Sequence, residues 1–228
     1  MDRRNLLRNL TGGMAALTGA FSAARGAQEG LPASAEPHRV GDVAALPCHC
    51  EKRGPREGYF PDVVVTSHEG ERARFYSDLV MGKTVVFNFM YTQCEDRCPI
   101  YIMNLVKVQR LLGERVGRDI FMYSLTLDPL VDTPKVLRKY VEDHGVGPGW
   151  RFLTGKPADM ELLRQRLGFV EPDPNLDRQK SSHLGLIRYG NEKLDRWSAC
   201  AAQSDPNTIV KYISWMEPKN AAIPKQGV

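Results

Sequence analysis

Apolar and polar positions divide this chain into a patterned body and two unpatterned ends. From Tyr59 onward the apolar residues fall into short runs of fixed period. Val63-Val64-Val65 and Arg72 to Phe75 flank the turn residues Glu69-Gly70 and predict a strand pair. Thr84 to Met90 is β-branched and aromatic and carries no charge, the pattern of a strand buried on both faces. A helix is expected after the loop Tyr91 to Arg97. Pro99 sits in its first turn, where a missing N–H costs nothing, and Leu105, Val108 and Leu112 carry it to Gly113. Ile120 to Leu127 predicts a second buried strand. Asp132-Thr133-Pro134 supplies a cap and a first-turn proline for a helix that carries Val136, Leu137, Tyr140 and Val141 and stops before Gly145. A shorter helix is expected from Ala158 to Leu167. Leu184 to Tyr189 and Lys193 to Trp197, joined through Gly190-Asn191, predict a hairpin, and Ser204-Asp205-Pro206 opens a last helix through Ile209, Val210, Ile213 and Met216.

Central strands separated by helices imply an α/β architecture, a mixed sheet with helices on both faces. The thioredoxin-like fold has this order, with a cysteine motif between a central strand and the following helix. At 228 residues, 42% hydrophobic and 25% charged, the chain suits one compact domain with tails. That domain is expected over residues 59–217, with a tail at 218–228. Residues 28–58 read as a linker or wrapping arm, because Pro32, Pro37, Pro47 and Pro55 break any period.

Residues 1–27 read as an export signal. Asp2-Arg3-Arg4-Asn5-Leu6-Leu7-Arg8 resembles the twin-arginine type, Leu10 to Phe21 is a mild apolar run, and Ser22, Ala23 and Ala24 are small. The run is short for a transmembrane helix, although an uncleaved signal would act as a membrane tether. The expected destination is the periplasm, where cysteines meet an oxidising setting. Removing residues 1–24 takes away three Arg and one Asp, a net +2 of the formal +4. The remainder carries no Lys/Arg stripe interleaved with aromatics, which excludes a nucleic-acid partner.

Cys94 and Cys98 stand four apart where the strand Thr84 to Met90 hands over to the helix at Pro99. A helix N-terminus favours thiolate over thiol, and Arg97 pushes the same way. Two soft sulfur donors so placed either close a disulfide or grip a soft ion such as Cu(I).

The stretch from Gly82-Lys83 through Val85 to Met90 and on to Tyr91-Thr92-Gln93-Cys94-Glu95-Asp96-Arg97-Cys98-Pro99 resembles the Sco/SenC family of copper-binding proteins. So do Leu125-Thr126-Leu127-Asp128-Pro129, Asp132-Thr133-Pro134, and Trp150-Arg151-Phe152-Leu153-Thr154-Gly155. The resemblance covers roughly Tyr59 to Met216. It implies a thioredoxin-like domain that serves cytochrome oxidase assembly, with copper held by Cys94, Cys98 and His183. It further implies a copper-receiving partner such as cytochrome oxidase subunit II. The chain departs from the family at Glu95, where proline is usual, at Arg97, where an apolar residue is usual, and at Ser182, where an aspartate usually precedes the histidine. Loss of that aspartate removes a group that would orient the imidazole.

A second reading uses the same Cys94 and Cys98 as a thiol-disulfide oxidoreductase pair acting on a copper-protein client. The longer Cys-x3-Cys spacing counts against general catalysis of that kind. A thiol peroxidase would want a threonine three residues before its cysteine, whereas Thr92 is two before Cys94. Outside the matched region, Cys48-His49-Cys50 is either a second soft-metal or relay site, or a tether pairing one cysteine with Cys200. Met103 reads as core filler, and His38, His68 and His144 receive no role.

Overall fold

The structure is a computed structural model that describes residues 54–94, 98–179 and 185–218. The expected export signal and Cys48-His49-Cys50 lie outside the described residues, as do Glu95 to Arg97, Ser182 and His183.

Seven strands form one sheet: β1 Val64–Ser67, β2 Arg72–Arg74, β3 Thr84–Met90, β4 Ile120–Thr126, β5 Trp150–Gly155, β6 Leu186–Asn191 and β7 Arg196–Ala201, in the order β2-β1-β5-β4-β3-β6-β7. The interior strands β3, β4 and β5 are parallel, and the flanking pairs are antiparallel. Helices α1 Cys98–Leu112, α2 Pro134–Asp143, α3 Pro157–Arg166, α4 Pro174–Asp177 and α5 Pro206–Ser214 connect them. This is the expected mixed sheet with helices on both faces. All seven residues of β3 are buried. Val86 and Met90 join Ile102, Leu105 and Val108 of α1, Leu137 of α2 and Ile209 and Ile213 of α5 in one core. Val85, Phe87 and Phe89 point the other way, to Phe75, Leu79 and Leu163 of α3. Strand alternation explains why one run of apolar residues feeds two cores. Truncating Leu105, which is fully buried, to alanine would cost about 3 kcal/mol.

α1 sits firmly on its face. The Asn104 side-chain amide donates to the carbonyls of Ala202 and Ser204, both at 2.8 Å, fastening α1 to the chain entering α5. Thr133 caps α2, its hydroxyl accepting from the Val136 amide at 3.4 Å, and Asp205 caps α5 in the same way at 3.0 Å.

Several expectations are corrected. Trp150–Gly155 is a strand, inserted between β1 and β4. Phe75 ends no strand: it begins a wide helical turn, Phe75–Val80, that buries Phe75, Tyr76, Leu79 and Val80. The hairpin turn lies beyond Asn191, with Asp195 at φ 50°, and Gly190-Asn191 remain in strand β6. Gly190 is needed there because the Trp197 ring lies where its side chain would be, 2.4 Å from the Cβ position. Met103 is exposed on α1 and fills no core. His68 is buried, and its Nδ1 accepts the Phe152 amide at 3.2 Å.

Candidate functional site

The parallel strands β3 and β4 run in register from Thr84 opposite Ile120 to Met90 opposite Thr126. Their carboxyl ends therefore finish together, and the Leu127 amide prolongs the ladder by donating to the Met90 carbonyl at 2.8 Å. From this edge the chain turns at Tyr91, whose carbonyl accepts the Cys94 amide at 3.3 Å, and it enters α1 at Cys98. Cys94 is 7% exposed and Cys98 1%, and no disulfide joins them.

The Cys98 amide donates to Cys94 Sγ at 3.4 Å. The opening amide of α1 thus points at a sulfur, the arrangement by which a helix N-terminus stabilises negative charge. Cys98 differs from the sequence expectation. Burial pushes its thiol well above the ordinary cysteine range, and its hydrogen bond with Cys94 adds to the rise. Of the pair, Cys94 is the more exposed residue, and burial opposes ionisation of Cys98.

Asp132 was read as part of a helix cap. Thr133 does the capping, and the Asp132 side chain turns inward, 0% exposed. Its carboxylate accepts from the Thr92 amide at 3.2 Å, from the Thr92 hydroxyl at 2.5 Å and from the Thr126 hydroxyl. The Thr126 hydroxyl in turn accepts the Asp128 amide at 2.8 Å. A buried carboxylate with several good donors is tolerated in an interior, and here it ties the start of the cysteine loop to the end of β4. An Asp-Thr-Pro triplet signals a cap strongly enough to hide this second role.

Two further observations bear on the segment between Gln179 and Gly185. Gln179 lines a cleft with Thr126, Leu127 and Pro129, at the carboxyl end of β4. Gly185 packs on Tyr101, one helical turn from Cys98, so closely that a Cβ there would lie 2.4 Å from the ring. Gln179 and Gly185 thus lie by the carboxyl end of β4 and by the first turns of α1 respectively. Cys200 is half-buried on β7, its thiol pushed up to about 11 by burial. Among the described residues no three His, Cys, Asp or Glu side chains converge as a metal site.

The donor set suits a soft ion as far as the described residues go: two adjacent thiols, both buried, beside a fixed helix end. The SCO2-like protein of Rickettsia felis is 25% identical over 144 residues, 61% of this chain and 68% of that protein. The copper-bound ScoI of Bradyrhizobium japonicum superposes with a TM-score of 0.55 at 22% identity, covering 68% of this chain and 96% of that one. BsSco, a member of the Sco family of cytochrome c oxidase assembly proteins in which a disulfide switch was identified, superposes at 0.55 with 19% identity, covering 68% and 90%. These superpositions establish the thioredoxin-like fold. The SCO1/SenC family model matches residues 61–213, a span that holds the β3–α1 junction and both cysteines, and the chain belongs to the SCO1/SenC family.

Proposed function

We propose that this chain is an exported copper-handling protein in which Cys94, Cys98 and His183 hold the ion and pass it to a cytochrome oxidase-type copper site. The observation that carries the reading is the Cys98 amide aimed at Cys94 Sγ at 3.4 Å, with both sulfurs buried side by side. Deprotonated, the pair offers two thiolates in a shielded pocket, the ligand type that Cu(I) prefers, and an imidazole would extend the set to Cu(II). The copper-bound state of the Bradyrhizobium japonicum protein supports the same cargo.

His183 is within reach by chain length alone. It precedes Gly185 by two residues, a span of at most about 7 Å, and Gly185 touches Tyr101 on the first turns of α1. Continuing the β3–β6 register, in which Asn88 faces Ile187, puts Gly185 opposite Met90 at the mouth of the cysteine loop. The Arg3-Arg4 signal supports export to the periplasm, with oxidase subunit II as the class of client.

Copper titration of the reduced full chain tests the reading. The expected result is about one equivalent bound, with thiolate-to-Cu(II) charge-transfer absorption that His183→Ala abolishes. Absence of colour and of retained copper would refute it. The exposure difference between the cysteines favours a second reading, a thiol-disulfide exchange role with Cys94 as nucleophile and Cys98 resolving. That reading expects client reduction to survive His183→Ala and to fail in Cys94→Ser.

A further inference from the structure

Strands β2, β1 and β5 carry a polar row across one face of the sheet. Their register sets Arg72 opposite Thr66 and Thr66 opposite Thr154, and it sets Arg74 opposite Val64 in the adjoining row. Val65, between these rows, enters the core of Phe75 and Phe87, so its neighbours Thr66 and Val64 face the other way. That is the face of α2, because Thr154 stands two residues beyond Phe152, which shares a core with Leu137 and Tyr140. Arg72, Arg74, Thr66 and Thr154 line one cleft of about 560 Å³, together with Thr133 and Pro134 at the start of α2 and Lys156 before α3.

Two polar atoms of this lining are buried without a partner. Thr154 is 5% exposed, and neither its hydroxyl nor Arg74 Nε has a hydrogen bond among the described residues. Buried groups of both kinds are nearly always paired in native proteins, so two in one cleft call for a reason. The charges around them say what would pair them. Arg72, Arg74 and Lys156 stand against two acids, Asp62 and Asp159. Asp62 is engaged elsewhere: its carboxylate accepts from the amides of Tyr76 and Ser77 at 3.1 and 2.9 Å and from the Ser77 hydroxyl at 2.6 Å. Helix α2, ten residues long, brings the positive end of its dipole to the same cleft. Arginine Nε can only donate and a threonine hydroxyl can also donate, so one acceptor-rich anion satisfies both.

We propose that this cleft binds an oxyanion of the phosphate class, with Arg74 Nε and the Thr154 hydroxyl donating to its oxygens and Arg72, Lys156 and the α2 N-terminus balancing its charge. The planar fork of an arginine matches phosphate oxygens, and a helix N-terminus favours the same ion. The two unpaired donors rise from β2 and β5 with β1 between them, about 10 Å apart across the sheet. A tetrahedral ion presents oxygens to both sides of such a gap, whereas a carboxylate presents two in one plane. The cleft also has room for the organic part of a phosphate monoester. Binding there is noncovalent and uses neither cysteine, so the site stands apart from the Cys94–Cys98 pair.

Calorimetric titration of the reduced full chain with inorganic phosphate, at about 0.15 M sodium chloride, tests the site. Saturable binding at one site is expected, with a melting temperature that rises as phosphate is added. Arg74→Gln and Thr154→Val should each weaken binding about tenfold, the weight of one hydrogen bond to a charged group. Arg118→Gln removes an exposed arginine outside the cleft and should change binding by less than about twofold. Thr154→Val deletes an unpaired buried hydroxyl and should melt no lower than the parent, which separates loss of binding from loss of fold. Should Arg74→Gln fail to fold, Thr154→Val set against Arg118→Gln decides. Glycerol phosphate in place of phosphate distinguishes the sources: tighter binding assigns the cleft to a phosphate monoester, weaker binding to the free ion. No saturable heat and no change in melting temperature at millimolar phosphate would overturn the proposal. So would equal weakening by Arg118→Gln and Arg74→Gln, or full binding by Thr154→Val, since either makes the attraction a diffuse effect of surface charge.

Discussion

At the N-terminal end of β3 the carboxylate of Glu192, 1% exposed, accepts from the Tyr76 hydroxyl and the Gly82 amide, both at 2.7 Å, and from the Arg56 amide at 3.4 Å. At the C-terminal end Asp132, equally buried, accepts from Thr92 and Thr126, while the buried hydroxyl of Tyr140, in the core that holds Cys94 and Cys98, has no partner among the described residues. The same parts, a buried acid and a buried phenol, close into a complete network at one end and leave a spare donor at the other. The complete network has one low-energy arrangement and fixes the hairpin against β3. The incomplete one belongs to the same core as Cys94 and Cys98.

The comparison yields graded predictions. Asp132→Ala strands three donors next to the cysteine loop and should lower unfolding free energy by about 3 kcal/mol in denaturant titration while also changing the rate at which Cys94 reacts with a thiol reagent. Glu192→Ala should lower stability by about 2 kcal/mol and leave that rate untouched. Equal effects of the two variants on the thiol would break the contrast between the ends. Tyr76→Phe removes a satisfied hydrogen bond and should lower stability by about 1 kcal/mol, against no loss for Tyr140→Phe, both read from the denaturant midpoint.

The smallest effect belongs to His68, a buried titratable group of the sheet away from the cysteines. Burial holds its pKa below the ordinary value of 6.5, the Glu69 charge opposing in part. The unfolded chain then binds the extra proton more readily, so this contribution is complete above about pH 6.5 and is lost as pH falls toward the folded pKa. His68→Gln should flatten the pH dependence of stability between about pH 7 and pH 5, by less than about 1 kcal/mol.

Much of the domain was legible because its signals are local. The unbroken run of β3, Pro99 in the first turn of α1 and the Thr133-Pro134 start of α2 each carry their own physical cause, and the two cysteines follow from the first two. What escaped depends on partners distant in sequence. β5 is six residues with an arginine among them and becomes a strand because β1 and β4 flank it. The hairpin turn was misplaced because Gly-Asn is a strong turn signal, whereas Asn191 is held in the strand by its bond to Thr84 Oγ1 at 2.9 Å. Asp132 looked like part of a cap, and only tertiary contact reveals that its carboxylate addresses Thr92 and Thr126.

The bond from the Cys98 amide to Cys94 Sγ has one more consequence. Pro99 has no amide proton, so of the first two residues of α1 only Cys98 has an N–H to satisfy, and Cys94 Sγ accepts it. Whatever engages that sulfur competes with the start of the helix for the same lone pairs. Chemistry at Cys94 is thereby written into how tightly the first turn of α1 is wound, and amide hydrogen exchange at Cys98 becomes a gauge of the state of the pair.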